Sequence, residues 1–268
     1  MKKVILFLTS MLLAVNLSGE VEKGIIKNMI KKYKDAVLTV RILQKQWTVM
    51  EGKEFTKRET KNEITGTVIN ENGIIVVSGF ATEPSKFFNK LRGDSSFKFE
   101  VKNQISGIKI ILPDRKEIDG KILLKDEKLD IYFIKALPEK EMKFKYINLG
   151  NYTDAGIMDE VISFDRLGEI GKREIFVSTA RVGAIMEKPR KYYILTEQMV
   201  SPGSPVFSIS GKIIGINLIK SRKTSSSISG FSILPTFSSL GFLPVVVPAK
   251  DILKVYGQIK IEKSAKSK

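Results

Sequence analysis

The chain has 268 residues, 43% of them hydrophobic and 28% charged, with 45 Lys and Arg against 29 Asp and Glu for a formal charge of +16. That excludes a disordered chain and leaves length for one large or two small domains around a real core. There is no Cys and no His, which excludes disulfides, thiol nucleophiles, Cys zinc sites and every mechanism with an imidazole base, and restricts any metal to oxygen ligands.

Taken in chain order, Met1-Lys2-Lys3 precedes an apolar run from Val4 to Val15 and then small and polar residues. This is the pattern of a secretory leader, expected over residues 1–19, and the run is short for a bilayer span. Over residues 20–34, Ile25, Ile26, Met29 and Ile30 recur at helical spacing and predict an amphipathic helix. The texture then changes to short apolar runs between turn residues. Ala36 to Leu43 reads as a strand. Ile64 to Ile69 and Ile74 to Val77 flank Asn70-Glu71-Asn72-Gly73 as a hairpin, and Ile108 to Leu112 and Glu117 to Leu124 form a second. Further strands are expected at Ile131 to Ala136, Val161 to Phe164, Ile175 to Val182, Tyr192 to Leu195, Lys212 to Lys220 and Leu243 to Val247. Many short strands with few helices predict an all-β fold of sandwich or barrel type. Ala249 to Tyr256 reads as a terminal helix, and residues 257–268 as a basic tail. Glu83 to Ser106, with Phe87, Phe88, Phe97 and Phe99, and Ser221 to Phe242 exceed usual loop lengths and read as a lid or binding loop, or as loops that fold their aromatics onto the body.

The residues between these strands resemble a known family. Thr65-Gly66-Thr67-Val68-Ile69-Asn70-Glu71-Asn72-Gly73-Ile74-Ile75-Val76-Val77 is similar to G-S-G-V-I-I-x-x-x-G-Y-I-L-T. Asp114 to Ile122 resembles L-P-D-G-x-x-x-x-A-x-V, and Asp126 to Lys135 resembles D-x-x-x-D-L-A-V-L-K. Leu149-Gly150-Asn151 with Glu160-Val161 resembles L-G-x-S…G-x-x-V, and Ser210 to Asn217 resembles the G-x-V-I-G-I-N strand. Pro248 falls where F-A-I-P precedes a last helix. These segments, in this order, are those of the trypsin-like domain of HtrA (Deg-type) serine proteases. The resemblance implies two six-stranded antiparallel β-barrels over residues 35–256, with a boundary near 137–148 and short helices at both ends.

It also implies where a catalytic triad would stand. The His position falls on Phe80, within Val77-Ser78-Gly79-Phe80-Ala81-Thr82, and the Asp position is kept as Asp130. The nucleophile loop, G-N-S-G-G-P in the family, is Val200-Ser201-Pro202-Gly203-Ser204-Pro205 here. Counting back from Gly211 puts Pro202 on the serine; anchoring on Thr196-Glu197 makes Ser204 the nearest hydroxyl, with Ser201 the other candidate. A phenyl ring accepts no proton, and Pro202 has no N–H to help bind an oxyanion, a loss worth roughly 100- to 1000-fold in rate. A Ser–Lys dyad would need a desolvated Lys beside Ser201 or Ser204, and no S-x-x-K pattern starts from either. Asp130 without a His reads as a buried turn residue bonded to Ser78 or to backbone N–H groups.

The expected function is therefore that of an exported, periplasmic or envelope-associated pseudoprotease that binds peptide or protein without hydrolysis and needs no cofactor or metal. Tyr192, Ile194, Thr196, Val200, Gly203 and Pro205 are the candidate binding residues, by strand pairing in the cleft. The alternatives are a serine endopeptidase with a non-His base, and a structural envelope module whose cleft has closed. Loss of Lys2 and Lys3 with the leader would leave 43 basic against 29 acidic residues, +14, favouring an anionic envelope partner. Only nine of the basic residues are Arg, and Lys spread evenly alongside Ile is equally the mark of AT-rich codon usage. Nucleic acid is not an expected partner.

Overall fold

In the computed structural model, residues 23–86, 99–197, 201–221 and 242–266 are described. The leader, most of the two long segments (87–98 and 222–241) and Val200 lie outside them. A helix, α1 (residues 23–33), opens the described chain. Six strands follow: β1 (Val37–Met50), β2 (Lys53–Val68), β3 (Ile74–Ser78), β4 (Phe99–Ile111), β5 (Glu117–Asp126) and β6 (Ile131–Leu137). A four-residue helix, α2 (Gly79–Thr82), follows β3. These strands close into an antiparallel barrel in the order β1-β2-β3-β6-β5-β4. After an irregular linker come β7 (Glu160–Arg166), β8 (Ile175–Met186), β9 (Tyr192–Leu195), β10 (Pro205–Ser208), β11 (Ile213–Ser221) and β12 (Phe242–Pro248), which close a second barrel in the order β10-β11-β12-β9-β8-β7. The two closed six-stranded barrels expected from the sequence are present.

Side chains explain why the strands read as continuous apolar runs. All five residues of β3 are buried. Ile75 and Val77 point into the first barrel with Leu38, Val40, Ile110 and Ile134. The alternate residues Ile74 and Val76 face a larger core shared with Phe164, Phe207, Ile216 and Val247 of the second barrel. With both faces covered, the polar alternation of a half-exposed strand disappears. Both terminal helices seal this shared core: Met29 and Tyr33 from α1, and Ile252, Val255 and Ile259 from α3 (Ala249–Lys266). Tyr33 stacks on Phe207 with ring centroids 4.8 Å apart.

Three features differ from the sequence reading. The C-terminal helix runs past Tyr256 to Lys266, through most of the stretch expected to be a tail. The last part of the first long segment is strand, because β4 begins at Phe99 and pairs with β1 from Met50 onward. β1 and β2 run past the barrel as a hairpin closed by Glu51-Gly52, where both residues have positive φ (51° and 79°) and Met50 pairs with Lys53. Two such residues are what a two-residue hairpin turn with the right twist requires. The projecting part of β2 carries Lys53, Lys57, Arg58 and Lys61, charges that discourage edge-to-edge association.

Candidate functional site

Asp130 is set by the turn before β6. The Asp126 carboxylate accepts the N–H groups of Lys128 (2.9 Å) and Leu129 (3.0 Å), and Asp130 then takes a left-handed conformation, φ 61°, which Asp tolerates better than most residues. This delivers its side chain to the start of α2. One carboxylate oxygen accepts the Phe80 N–H at 2.6 Å. The other accepts the Ser78 hydroxyl at 2.5 Å and the Ile219 N–H of β11 at 3.1 Å. Gly79 must be glycine: a Cβ there would lie 2.8 Å from the Tyr132 ring and 3.0 Å from the Asp130 carboxylate. Burial pushes Asp130 up to about 7, despite the three donors and the charge of Lys220, which oppose the rise. The bonding of Asp130 to Ser78 and to backbone N–H groups is as expected, and the Ile219 donor adds the second barrel to it.

Phe80 follows directly on this anchor. Its ring is half-buried and meets Phe242 edge-on, centroids 5.0 Å apart, in a small cluster with Ile219. Across from it, Ser201-Pro202-Gly203-Ser204 form a tight turn in which the Ser204 N–H donates to the Ser201 carbonyl at 3.2 Å. Proline at the second place and a glycine at φ 104° in the third are the signature of a type II turn. The turn is stapled to β11: Gly203 N–H to the Asn217 carbonyl (2.7 Å) and Asn217 N–H to the Ser204 carbonyl (2.8 Å). It is stapled to the first barrel as well, where the Thr67 hydroxyl donates to the Gly203 carbonyl at 2.7 Å. Asp165, buried at the end of β7, accepts the Ser201 N–H at 3.2 Å and the Thr65 hydroxyl.

Between these pieces lies a cleft of about 300 Å³, walled by Ile64, Phe80, Ala81, Leu167, Ser201 and Pro202. That is the lower end of ligand-sized volumes. Of the loop residues, Ser201 and Pro202 line the cleft. Ser204 is 0% exposed, and its hydroxyl has no hydrogen-bond partner among the described residues. The candidate binding residues scatter. Tyr192, Ile194 and Thr196 lie on or beside β9, which is flanked by β8 and β12, and none of them lines this cleft. Tyr192 is buried beneath Lys220, whose ammonium is 3.4 Å from its hydroxyl, while Gly203 and Pro205 are buried within the loop and β10. Val200 lies outside the described residues. Among the described residues, no group of three or more acidic side chains comes together as a metal site would need.

No protein-family profile matches the chain. Over 191 residues, 66% of the chain, it is 27% identical to a protein of Rickettsia conorii described as a probable periplasmic serine endoprotease DegP-like. Over 116 residues, 42% of the chain, it is 27% identical to a protein of Rhizobium meliloti with the same description. The chain is a distant homologue of the DegP-like serine endoproteases. Its paired barrels are those of the trypsin-like fold. The aligned parts span 33% and 23% of these DegP-like relatives' own lengths.

The sequence reading missed the groups that hold the two barrels in place around the cleft. Arg166 donates to the Val37 carbonyl at 2.7 Å, to the Arg173 carbonyl at 3.0 Å and to the Lys34 carbonyl. Glu63 of β2 pairs with Arg173 at 2.7 Å and with Arg41 at 2.9 Å. Burial would raise the Glu63 carboxyl, but the two guanidinium groups hold it below its ordinary value. Only Phe-Asp-Arg at the end of a short apolar run hinted at Asp165 and Arg166. The Ser204 hydroxyl gives a direct test. Because it is buried without a partner among the described residues, Ser204→Ala is expected to leave stability unchanged or raise it by up to about 1 kcal/mol. Urea denaturation checks this, and a clear loss of stability would mean the hydroxyl is bonded after all.

Proposed function

We propose that this chain is an exported, trypsin-like pseudoprotease that binds a peptide or unfolded protein segment and does not hydrolyse it. The observation that carries the reading is that Phe80 and Pro202 both line the cleft, with Asp130 engaged by Ser78, Phe80 and Ile219. A serine hydrolase needs a base beside a nucleophile and N–H donors for the oxyanion. Phe80 brings a phenyl ring to the cleft lining and Pro202 a nitrogen without a hydrogen, and neither can serve in these roles. The hydroxyl of Ser204 faces inward, which weighs against an unconventional nucleophile there. Lys220, the lysine whose charge reaches Asp130, donates to the Lys128 carbonyl at 2.8 Å. Export is supported by the leader pattern and by the periplasmic description of the relatives.

The Phe80–Phe242 contact favours a second reading, a structural module in which aromatic packing has closed part of the groove. The cleft on the Ile64 and Pro202 side favours the first. A fluorophosphonate probe decides the chemistry: no labelling of the purified protein is expected, and labelled casein should be retained intact. Labelling that disappears in Ser201→Ala or Ser204→Ala would overturn the pseudoprotease reading. Failure to retain casein at all would favour the structural module.

A further inference from the structure

Beside the cleft, and sharing Thr39 and Arg166 with it, lies a second cavity of about 130 Å³. Leu112, Arg115, Arg166, Lys172, Arg173 and Glu174 line it. Four cations thus face one carboxylate. Arg166 is held by three backbone carbonyls and Arg173 by Glu63. Arg115 and Lys172 are exposed and have no ion-pair partner among the described residues. Their backbones are unusual too. Arg115, Lys172 and Arg173 take positive φ values of 69°, 54° and 58°, where Gly, Asn or Asp ordinarily stands. Seven non-glycine residues do so among those described, and three of them ring this one cavity with positive charge. An unfavourable backbone at three cationic residues around one concavity is a reason to look for an anionic ligand.

We infer that this cavity receives an acidic side chain of the peptide held in the cleft, with Arg115 and Lys172 as its cationic partners. The inference rests on the peptide-binding reading and adds a substrate class to it: an apolar stretch next to acidic residues. The adjacency comes from the two walls. Ile64, Phe80, Leu167 and Pro202 offer apolar contact on one side of Thr39 and Arg166, and the cations offer charge on the other. A free phosphate would gain from the charge but nothing from the apolar wall. Burial pushes the Arg166 guanidinium down from its ordinary value, although Asp35 and Glu174 partly offset this, so an incoming carboxylate would meet a charge starved of water.

The test uses two fluorescein-labelled, amidated hexapeptides, Ala-Leu-Val-Ala-Asp-Glu and its isostere Ala-Leu-Val-Ala-Asn-Gln, with fluorescence anisotropy as the readout. The acidic peptide is expected to bind about five- to tenfold tighter at low salt, with the preference shrinking as salt rises. In the double variant Arg115→Asn, Lys172→Asn, the preference should vanish while the neutral peptide's affinity stays within about twofold. Asn is chosen because it tolerates positive φ, so the loops keep their form. If both peptides bind alike and the double variant changes nothing, the carboxylate site is wrong and the peptide-binding reading survives. If neither peptide binds, that reading fails, and the carboxylate site with it. If inorganic phosphate binds the parent protein but not the double variant, while the peptides show no preference, the cavity is a free-anion site and the inference is overturned.

Discussion

Replacing Gly203 by Ala is expected to cost about 3–5 kcal/mol, one of the largest losses a single added methyl could cause in this chain. Gly203 has φ 104°, a conformation that L side chains rarely adopt, and a Cβ there would sit 2.1 Å from the Thr65 carbonyl oxygen. That oxygen belongs to β2 of the opposite barrel, so the clash cannot be relieved by turning a side chain. The main chain would have to withdraw, breaking the bonds to Asn217 and Thr67 that staple the loop. Gly24 is the control. It lies in α1 with nothing within 4 Å of a Cβ, and Ala there should stabilise by about 0.5–1 kcal/mol. Urea midpoints for the two variants check the pair. A Gly203→Ala loss under about 1 kcal/mol would mean the barrels are not in contact at this point.

Asp130 is expected to make stability fall as pH rises. Unfolded, it titrates at ~3.9; folded, burial pushes it up to about 7. Between those values the native state holds a proton that the unfolded chain has released. The contribution is therefore fully present below about pH 4 and is lost as pH climbs through 7, by an amount on the order of 2–4 kcal/mol. Glu63 and Glu83, both held below their ordinary values by cationic or hydroxyl partners that outweigh burial, give the opposite slope. The parent's own pH profile mixes the two. Asp130→Asn removes the titration at a fixed cost, since its one amide oxygen can accept only one of the Phe80 and Ile219 N–H groups, which bond to different carboxylate oxygens. The variant's deficit relative to the parent should be largest below pH 4 and shrink as pH rises through 7. Asp130→Ala strands Ser78, Phe80 N–H and Ile219 N–H together and should lose at both pH values. A parallel course of Asn variant and parent from pH 4 to 8 would contradict a raised Asp130.

The strand pattern, the turn at Asn70 to Gly73 and the Asp130 anchor were legible in the sequence because each is local: periodicity, a turn residue or a short motif. The loop at Ser201 to Pro205 was less so. Its Pro-Gly pair marks a type II turn, but no local pattern shows that Ser204 is packed inward. The extensions of β1 and β2 were invisible because Lys53 to Glu63, apart from the exposed Phe55, is polar on both faces, as suits a hairpin projecting into water. β10 (Pro205–Ser208) went unread because it is only four residues and starts inside the loop being aligned. Strand pairing at Tyr192 and Ile194 of β9 was an expectation from the apolar run alone. An apolar strand in the right neighbourhood says nothing about whether both its edges are taken, and here they are. Arg166, Glu63 and Arg173 act between barrels, at sequence separations no local pattern spans.

The stapling of the Ser201 to Ser204 turn has a consequence for how such a molecule can change over time. Two of its anchors run from main chain to main chain, and in the others a Thr67 hydroxyl reaches a main-chain carbonyl and a main-chain N–H of Ser201 reaches Asp165. The Asp130 main chain is fastened in the same way, its carbonyl accepting the Gly79 N–H at 2.9 Å. Main-chain bonds are indifferent to which side chain stands at 80, 201 or 202. Scaffold and reagent are thus separable here: the residues that would do chemistry can be exchanged one by one without unfastening the frame that displays them. A protein built this way can lose a reaction and keep a shape, and its recognition surface is then free to drift toward a new partner.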